Sequence, residues 1–259
     1  MSAPIIDVNV TLARWPTRRL PHDDTPALVK LLRSRGITQA WAGTFDGLLH
    51  KDLASANARL ADDCAKHGDG VLLPFGSVNP KLPDWEEDLR RCVEDHGMRG
   101  IRLHPNYHGY ELTDAVFVHV LQMAAERKML VQIVASMEDD RMMHPLMRVP
   151  QVDIVPLPEA LAQAPGTRVV LLNASRAVPA PVLPKIFGAG EVYFDFAMLE
   201  GVGGIANQLQ HMHIERLLFG SHAPMLYIDS AILKLRESDL TDDQRNIICH
   251  GNAERLMAN

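Results

Sequence analysis

The chain has 259 residues, of which 47% are hydrophobic and 22% are charged, and its formal net charge is −6. This composition is typical of a globular protein and lacks the basic excess expected of a nucleic-acid-binding surface. We find no signal-peptide pattern, no apolar run of the roughly 18 residues that cross a membrane, and only widely spaced cysteines, so we expect a cytoplasmic protein without disulfides.

Apolar, β-rich runs alternate with helical patterns along the chain. The predicted strands are 5–12, 38–44, 70–80, 100–105, 130–136, 168–175, 192–198 and 216–222. The predicted helices are 25–36, 52–68, 84–97, 113–128, 157–164, 181–188, 204–212 and a final pair within 227–257. Near-continuous apolar runs are typical of strands buried on both faces, and about eight β/α repeats favour a TIM barrel over a doubly wound sheet. We predict an α/β fold: a single (β/α)8 TIM barrel over residues 1–259 with an extra C-terminal helix.

Polar residues end or follow every predicted strand. In a TIM barrel the working face lies at the carboxyl ends of the strands, so these residues are expected to meet at the barrel mouth. The candidate catalytic or binding residues are Asn9, Arg14, Arg18, Arg102, His104, Asn106, His108, Glu138, Arg141, His144, Asn173, Arg176, Asp195 and His222. Each has a simpler explanation as a structural, turn or solvated residue, but polar groups at every strand end together favour a functional site.

Several strand-end segments resemble one known family. IIDVNVT (5–11) stands where that family has I-D-x-H-x-H, LLFGSHAP (217–224) resembles L-x-F-G-S-D-x-P, and NAERLM (252–257) resembles N-A-x-R-L-F. GIRLHP (100–105) resembles the segment on its fourth strand. The chain therefore resembles the amidohydrolase-related (amidohydrolase-2) branch of the amidohydrolase superfamily. The resemblance implies a TIM barrel and membership among metal-dependent hydrolases, decarboxylases and hydratases, with some lactone-cleaving members that use no metal.

The family positions that would bind the metal or supply the catalytic acid are altered. They hold Asn9, Thr11, Val134, Asn173 and His222. Zinc prefers thiolate, imidazole or carboxylate ligands, which amide, hydroxyl and isopropyl groups do not supply. We therefore expect no metal ligands and no cofactor, with a zinc site as the minority alternative.

The first functional hypothesis is a metal-independent hydrolase or isomerase that acts on a small carboxylate or lactone. His104 or His222 is expected to act as general acid or base, because the pKa of imidazole suits neutral pH. Glu138 or Asp195 would orient that histidine. Arginines would bind the substrate carboxylate through paired hydrogen bonds, and Asn9 and Asn173 would bind its carbonyl or hydroxyl group. The arginine candidates are Arg14, Arg18, Arg102, Arg141 and Arg176.

Two alternatives remain open. One is a non-catalytic pseudoenzyme that binds a small anionic ligand. The other is a metal-dependent hydrolase or decarboxylase with an atypical site built from His104, His144 and His222. In each case we expect a homodimer or higher homo-oligomer, because two-fold dimers are the commonest assembly of such proteins.

Overall fold

The computed structural model describes residues 4–258, and parallel strands form its centre. Each strand pairs with the next one along the chain in the orders β1–β2–β3 and β4 to β9. The strands are β1 (Ile5–Leu12), β2 (Ile37–Thr44), β3 (Leu72–Pro74), β4 (Gly76–Ser77), β5 (Gly100–Leu103), β6 (Leu130–Val134), β7 (Arg168–Leu172), β8 (Glu191–Asp195) and β9 (Leu217–Leu218).

Backbone hydrogen bonds close these strands into a ring. The Val8 N–H donates to the Phe219 carbonyl at 2.9 Å, and the Thr11 N–H donates to the Ala223 carbonyl at 2.9 Å, which joins β1 to β9. The predicted third strand is split at Phe75 into β3 and β4, and the Phe75 N–H donates to the Ala42 carbonyl at 2.8 Å. Counting β3 and β4 as one, the prediction of a (β/α)8 barrel is confirmed.

Helices connect the strands on the outside of the barrel, and a C-terminal group follows β9. The helices are α1 (Thr25–Ser34), α2 (Asp46–Leu49), α3 (Leu53–His67), α4 (Trp85–Glu94), α5 (Pro105–His108), α6 (Ala115–Glu126), α7 (Leu157–Ala162), α8 (Leu183–Ala189), α9 (Gly204–Gln208), α10 (Ile228–Glu237), α11 (Asp242–Asn246) and α12 (Asn252–Ala258). The short helices α2 and α5 were not predicted, because a single turn carries no apolar periodicity. Within residues 4–258, no helix has the length and hydropathy needed to cross a membrane.

From the third predicted strand onward, the strands end earlier than predicted, whereas β1 and β2 end at the predicted residues. The last one was predicted over 216–222, but β9 covers only Leu217–Leu218. The residues beyond it turn into the mouth: His222 has a φ of 58°, in the left-handed region, and Asn173, just beyond β7, has a φ of 57°. Polar side chains that looked like parts of strands therefore lie on the first residues of the loops.

Candidate active site

Polar side chains from β1, β5, β7, β8 and β9 meet at the carboxyl ends of these strands. Each is at most 2% exposed, so the group forms a buried polar layer at the mouth of the barrel. The members are Asp7, Asn9, His104, Asn173, Asp195 and His222. Buried polar groups are costly unless they are hydrogen-bonded, so their partners decide what this layer can do.

Asn9 connects the ends of three strands. Its Nδ2 donates to Asp195 Oδ2 at 2.6 Å and to Asn173 Oδ1 at 2.9 Å. Asn173 donates from Nδ2 to the Ser136 carbonyl at 2.8 Å and from its backbone N–H to Asp195 Oδ1 at 2.8 Å. Because a carboxylate and a carbonyl only accept, both amide groups have one consistent orientation. We call the chain Ser136–Asn173–Asn9–Asp195 the mouth network.

Asp195 is the ionisable member of the mouth network. Burial raises its pKa to about 6, although the hydrogen bonds from Asn9 and the Asn173 backbone favour the carboxylate. A Cβ at Gly220 would lie 2.6 Å from Asp195 Oδ2, so only glycine leaves room for the carboxylate here. Asp195 is therefore an anion at neutral pH that needs its two donors.

Asp7 joins β1 to the loop after β9. It accepts hydrogen bonds from the backbone N–H groups of Asn9 and Ser221, each at 3.0 Å, and from the Ser221 hydroxyl. Burial raises the pKa of Asp7 to about 7. With its acceptors occupied by the protein, Asp7 braces the mouth.

Arg102 lies inside the barrel beneath the mouth network and is 1% exposed. Its guanidinium donates to the Val10 carbonyl at 2.8 Å, the Trp41 carbonyl at 3.0 Å and Gln132 Oε1 at 2.7 Å. It also contacts Thr11 Oγ1 at 3.1 Å. Four hydrogen bonds to the protein hold Arg102 inside the barrel, so we no longer expect it to bind a substrate carboxylate.

The mouth histidines are neutral at physiological pH. Burial lowers the pKa of His222 to about 4 and takes that of His104 well below its ordinary value, while the pKa of His108 is also lowered by burial. His222 Nε2 lies 2.8 Å from the Met137 carbonyl, which can only accept, so Nε2 carries the proton. Within the described chain, His222 Nδ1 has no hydrogen-bond partner. It presents a free lone pair.

The loop after β6 covers the mouth and encloses a polar cavity of about 490 Å³, which we call the mouth cavity. Its lining includes Ser136 and Asn173 of the mouth network, with Arg141 and Arg176 at its rim. Glu138 also lines it, and its buried carboxylate is bound by Arg18. The mouth network therefore meets this cavity at Ser136 and Asn173.

Other predicted site residues lie outside this layer. His144 is exposed, and its Nδ1 accepts from the Leu146 N–H at 3.2 Å at the start of a short turn. Asn106 donates to the Pro150 carbonyl at 3.0 Å and ties α5 to the long loop. Arg14 is exposed, and His108 Nε2 contacts the Gly47 carbonyl at 2.9 Å. The candidate metal site of His104, His144 and His222 is therefore not formed.

Some residues that build the mouth were not assigned to the site from the sequence. Ser136 and Ser221 supply a carbonyl and a hydroxyl to the buried layer, and Gln132 holds Arg102. Gln132 and Arg102 each interrupt a strongly apolar strand, which is a signal in the sequence. Ser136 gave no such signal, because serine is common where a strand becomes a loop, whereas Ser221 lies beside His222 at the end of the eighth predicted strand.

The family positions do not fit a metal ion in this geometry. Asn9 turns its amide nitrogen, a donor, toward both Asn173 and Asp195, which is the reverse of what a cation requires. Across residues 4–258, no group of three or more His, Cys, Asp or Glu side chains is placed to hold a metal.

A closed parallel barrel with a polar layer at the carboxyl ends of its strands defines the class of this protein as a TIM barrel. The amidohydrolase family profile matches residues 15–257, which is most of the chain. The chain belongs to the amidohydrolase family, as its strand-end segments predicted.

Solved structures share this fold at low sequence identity. An uncharacterised TIM-barrel protein from Bordetella bronchiseptica is 17% identical with a TM-score of 0.75, and covers 98% of both chains. The 5-carboxyvanillate decarboxylase of Novosphingobium aromaticivorans is 14% identical with a TM-score of 0.76, over 99% of this chain and 96% of that one. A dihydroxybenzoic acid decarboxylase from Polaromonas is 14% identical with a TM-score of 0.72, over 99% and 97%. No curated protein matches the sequence.

These structures correct one expectation. The two decarboxylases were crystallised with bound manganese, which contradicts our prediction that no cofactor is expected. The prediction of no cofactor rested only on the residue types at the altered ligand positions. The manganese in these two structures overturns it.

The mouth network predicts a pH-dependent effect for Asn9→Asp. The variant would place a carboxylate where a donor now lies 2.6 Å from Asp195 Oδ2, so one carboxyl must stay protonated or the two must repel. We expect a loss of about 3 kcal/mol in the free energy of unfolding at pH 8 and a smaller loss at pH 5, where protonation restores a donor. Urea unfolding at both pH values measures this.

Asn106→Asp is the control for that variant. It makes the same chemical change on a half-exposed residue of α5, outside the mouth network. We expect it to shift stability by less than about 1 kcal/mol with little dependence on pH. Equal losses for Asn9→Asp at the two pH values would contradict the proposed donor role of Asn9.

Proposed function

We propose that this protein is a hydrolase that opens a small lactone or related ester carrying a carboxylate, bound in the mouth cavity. The observation that carries the proposal is the mouth network, which presents Asn173 to a cavity rimmed by arginines. The solved structures support the substrate class, since the N. aromaticivorans enzyme was crystallised with a substituted nitrobenzoic acid.

Arg176 is the group that binds the substrate carboxylate. Its guanidinium lies 3.5 Å from Glu200 and 4.0 Å from Asp139, so neither contact is a close ion pair. Arg141 is instead held by Asp139 at 2.6 Å. Exposed ion pairs contribute little free energy, so a substrate carboxylate can replace the partners of Arg176 and accept two parallel hydrogen bonds.

Asn173 binds the reacting carbonyl. Its Nδ2 has two N–H groups, one of which donates to Ser136, and the second is available toward the cavity that Asn173 lines. The oxygen of that carbonyl gains negative charge when water adds, and a fixed donor stabilises it. Asn9 keeps the amide in place by donating to Asn173 Oδ1.

His222 is the general base. Its Nδ1 takes a proton from water as the water oxygen adds to the lactone carbonyl; the ring C–O bond then breaks, and the imidazolium returns the proton to the leaving oxygen. His222 Nε2 contacts the carbonyl of Met137, and Met137 lies in sequence between the cavity-lining residues Ser136 and Glu138. Because His222 is only 1% exposed, the loop after β6 must move for substrate to reach it.

The pseudoenzyme alternative has one observation in its favour. Both His222 and His104 are almost fully buried. A ligand that stays in the mouth cavity would therefore not reach either imidazole and would not be turned over. In that case the mouth cavity would still bind a small anion through Arg176. Binding without turnover would be the result that distinguishes this alternative.

A turnover screen tests the proposal. The purified chain is assayed with small carboxylate-bearing lactones and with hydroxybenzoates, each after chelator treatment and with added manganese. We expect lactone hydrolysis, and Arg176→Met should raise KM about tenfold or more with a smaller effect on kcat. Arg148→Met, on an exposed arginine that does not line the cavity, is the control. Release of carbon dioxide from hydroxybenzoates without lactone hydrolysis would overturn the proposal.

Three further predictions from the sequence stay open. They are the extent of the domain over residues 1–259, assembly into a homo-oligomer and a cytoplasmic location. Size measurement in solution and localisation of a tagged chain test the last two.

A further inference from the structure

A second cavity lies beside the mouth, with a volume of about 670 Å³, and we call it the side groove. Its walls are formed by the loops after β6, β8 and β9 and by one face of α10. Its apolar lining includes Met137, Met142, Met198, Met225, Tyr227 and Leu233. It shares Glu138, Asp139 and Met198 with the mouth cavity, so the two are neighbours.

Three large apolar side chains of the groove are exposed to solvent. Met142 is 63% exposed, Tyr227 is 73% exposed and Leu233 is 58% exposed, and all three line this one groove. Large exposed apolar side chains that cluster mark binding sites, and methionine adapts its shape to an apolar ligand. The groove therefore fits the apolar body of a ligand.

Lys234 gives the side groove a charged end. Its ammonium group is partly buried and donates to the Ala197 carbonyl, which leaves other N–H groups free. In the part of the chain that the structure describes, no carboxylate lies within ion-pair distance of Lys234. By contrast, Arg18, the other cation of the groove, is already bound by Glu138.

Two acidic residues of the groove are held by other cations, because Asp139 pairs with Arg141 at 2.6 Å and Asp229 with Arg35 at 2.6 Å. Glu200 lies 3.5 Å from Arg176, which is not a close ion pair. Glu200 and Glu237 also line the groove and act on Lys234 through space, but in the described chain neither forms an ion pair with its ammonium group. An anionic group entering the groove therefore meets Lys234 as a cation without a close carboxylate partner.

We propose that the side groove binds an amphipathic carboxylate, with its carboxylate on Lys234 and its hydrocarbon chain along the methionines. The chain lies between the loops after β6 and β8, and the carboxylate accepts from the free N–H groups of Lys234. This site adjoins the mouth cavity, and the proposal does not rest on the reaction proposed above. Its ligand class is a medium-chain or arylalkyl monocarboxylic acid.

Isothermal titration calorimetry with decanoate, decanol and decylammonium tests the site. We expect saturable binding of decanoate, weaker binding of decanol and none of decylammonium. Lys234→Met should weaken decanoate binding about tenfold, which corresponds to loss of one charge-assisted contact. Arg236→Met removes an exposed cation of the same helix outside the groove and should leave binding unchanged.

A second variant tests the apolar wall. Leu233→Asn changes an exposed side chain and should weaken decanoate binding at least fivefold without loss of folding. Equal affinity for decanoate and decylammonium, or decanoate binding that is unchanged in Lys234→Met, would overturn the proposal. So would binding that is lost in Arg176→Met but kept in Lys234→Met, because the carboxylate would then lie in the mouth cavity.

Discussion

Replacing His222 with Gln is expected to lower kcat/KM for lactone hydrolysis by a factor of roughly 10² to 10⁴, the usual contribution of a general base. Glutamine keeps an N–H that can donate to the Met137 carbonyl, so the loop after β6 keeps its contact. It lacks the basic Nδ1 that has no protein partner in the structure. The loss should therefore fall mainly on kcat, as measured by steady-state kinetics with a lactone that the wild-type chain turns over.

His211→Gln is the matched control for that measurement. His211 is exposed on the turn after α9 and lies outside the mouth network, so its replacement should leave kcat/KM within about twofold. Circular dichroism and the unfolding midpoint of both variants show whether the fold is kept. A His222→Gln variant that folds and retains the wild-type rate would exclude His222 as the base.

Replacing Arg102 with Met is expected to destabilise the protein by about 3–5 kcal/mol. Methionine fits the apolar surroundings, but the acceptors that Arg102 now satisfies would stay buried without a donor. These acceptors are the Val10 carbonyl, the Trp41 carbonyl and Gln132 Oε1. Burial lowers the pKa of Arg102 to about 9, yet the group remains charged at pH 7 and faces Asp195 and Asp7.

Urea unfolding at pH 7 measures this loss. Arg99→Met removes an exposed arginine that donates once, to the Met257 carbonyl, and should cost less than about 1 kcal/mol. Arg102→Lys should lie between the two, because lysine keeps a charge but cannot reach all the acceptors at once. A cost for Arg102→Met no larger than that for Arg99→Met would show that the buried hydrogen bonds of Arg102 contribute little to stability.

The barrel could be predicted from the sequence because its signals are repeated and local. Near-continuous apolar runs such as LVQIV (130–134) mark strands buried on both faces, and they alternate with helical periodicity around the ring. The family segments gave the same order of elements independently. Where the signal was a single turn, as at Asp46–Leu49 and Pro105–His108, the sequence offered too few residues for a period to show.

The site was predicted only in part, because side-chain direction depends on contacts distant in sequence. Asn9 and Asn173 meet across 164 positions of sequence separation, and their placement at strand ends was enough to anticipate that they would be close. Arg102 and His144 were predicted to face the site, but Arg102 points beneath the mouth and His144 caps a turn. Neither outcome follows from residue type or from position on a strand.

Asn173 and His222 both have a left-handed backbone, and both carry a side chain of the proposed site. Each conformation costs a residue with a side chain of the order of 1 kcal/mol, which glycine would not incur. Glycine at either position would relax the chain but delete the amide or the imidazole on which the proposed chemistry depends. The two strand ends that carry the proposed chemistry thus also have a backbone conformation that glycine adopts more readily, so attempts to raise thermal stability here would compete directly with the proposed function.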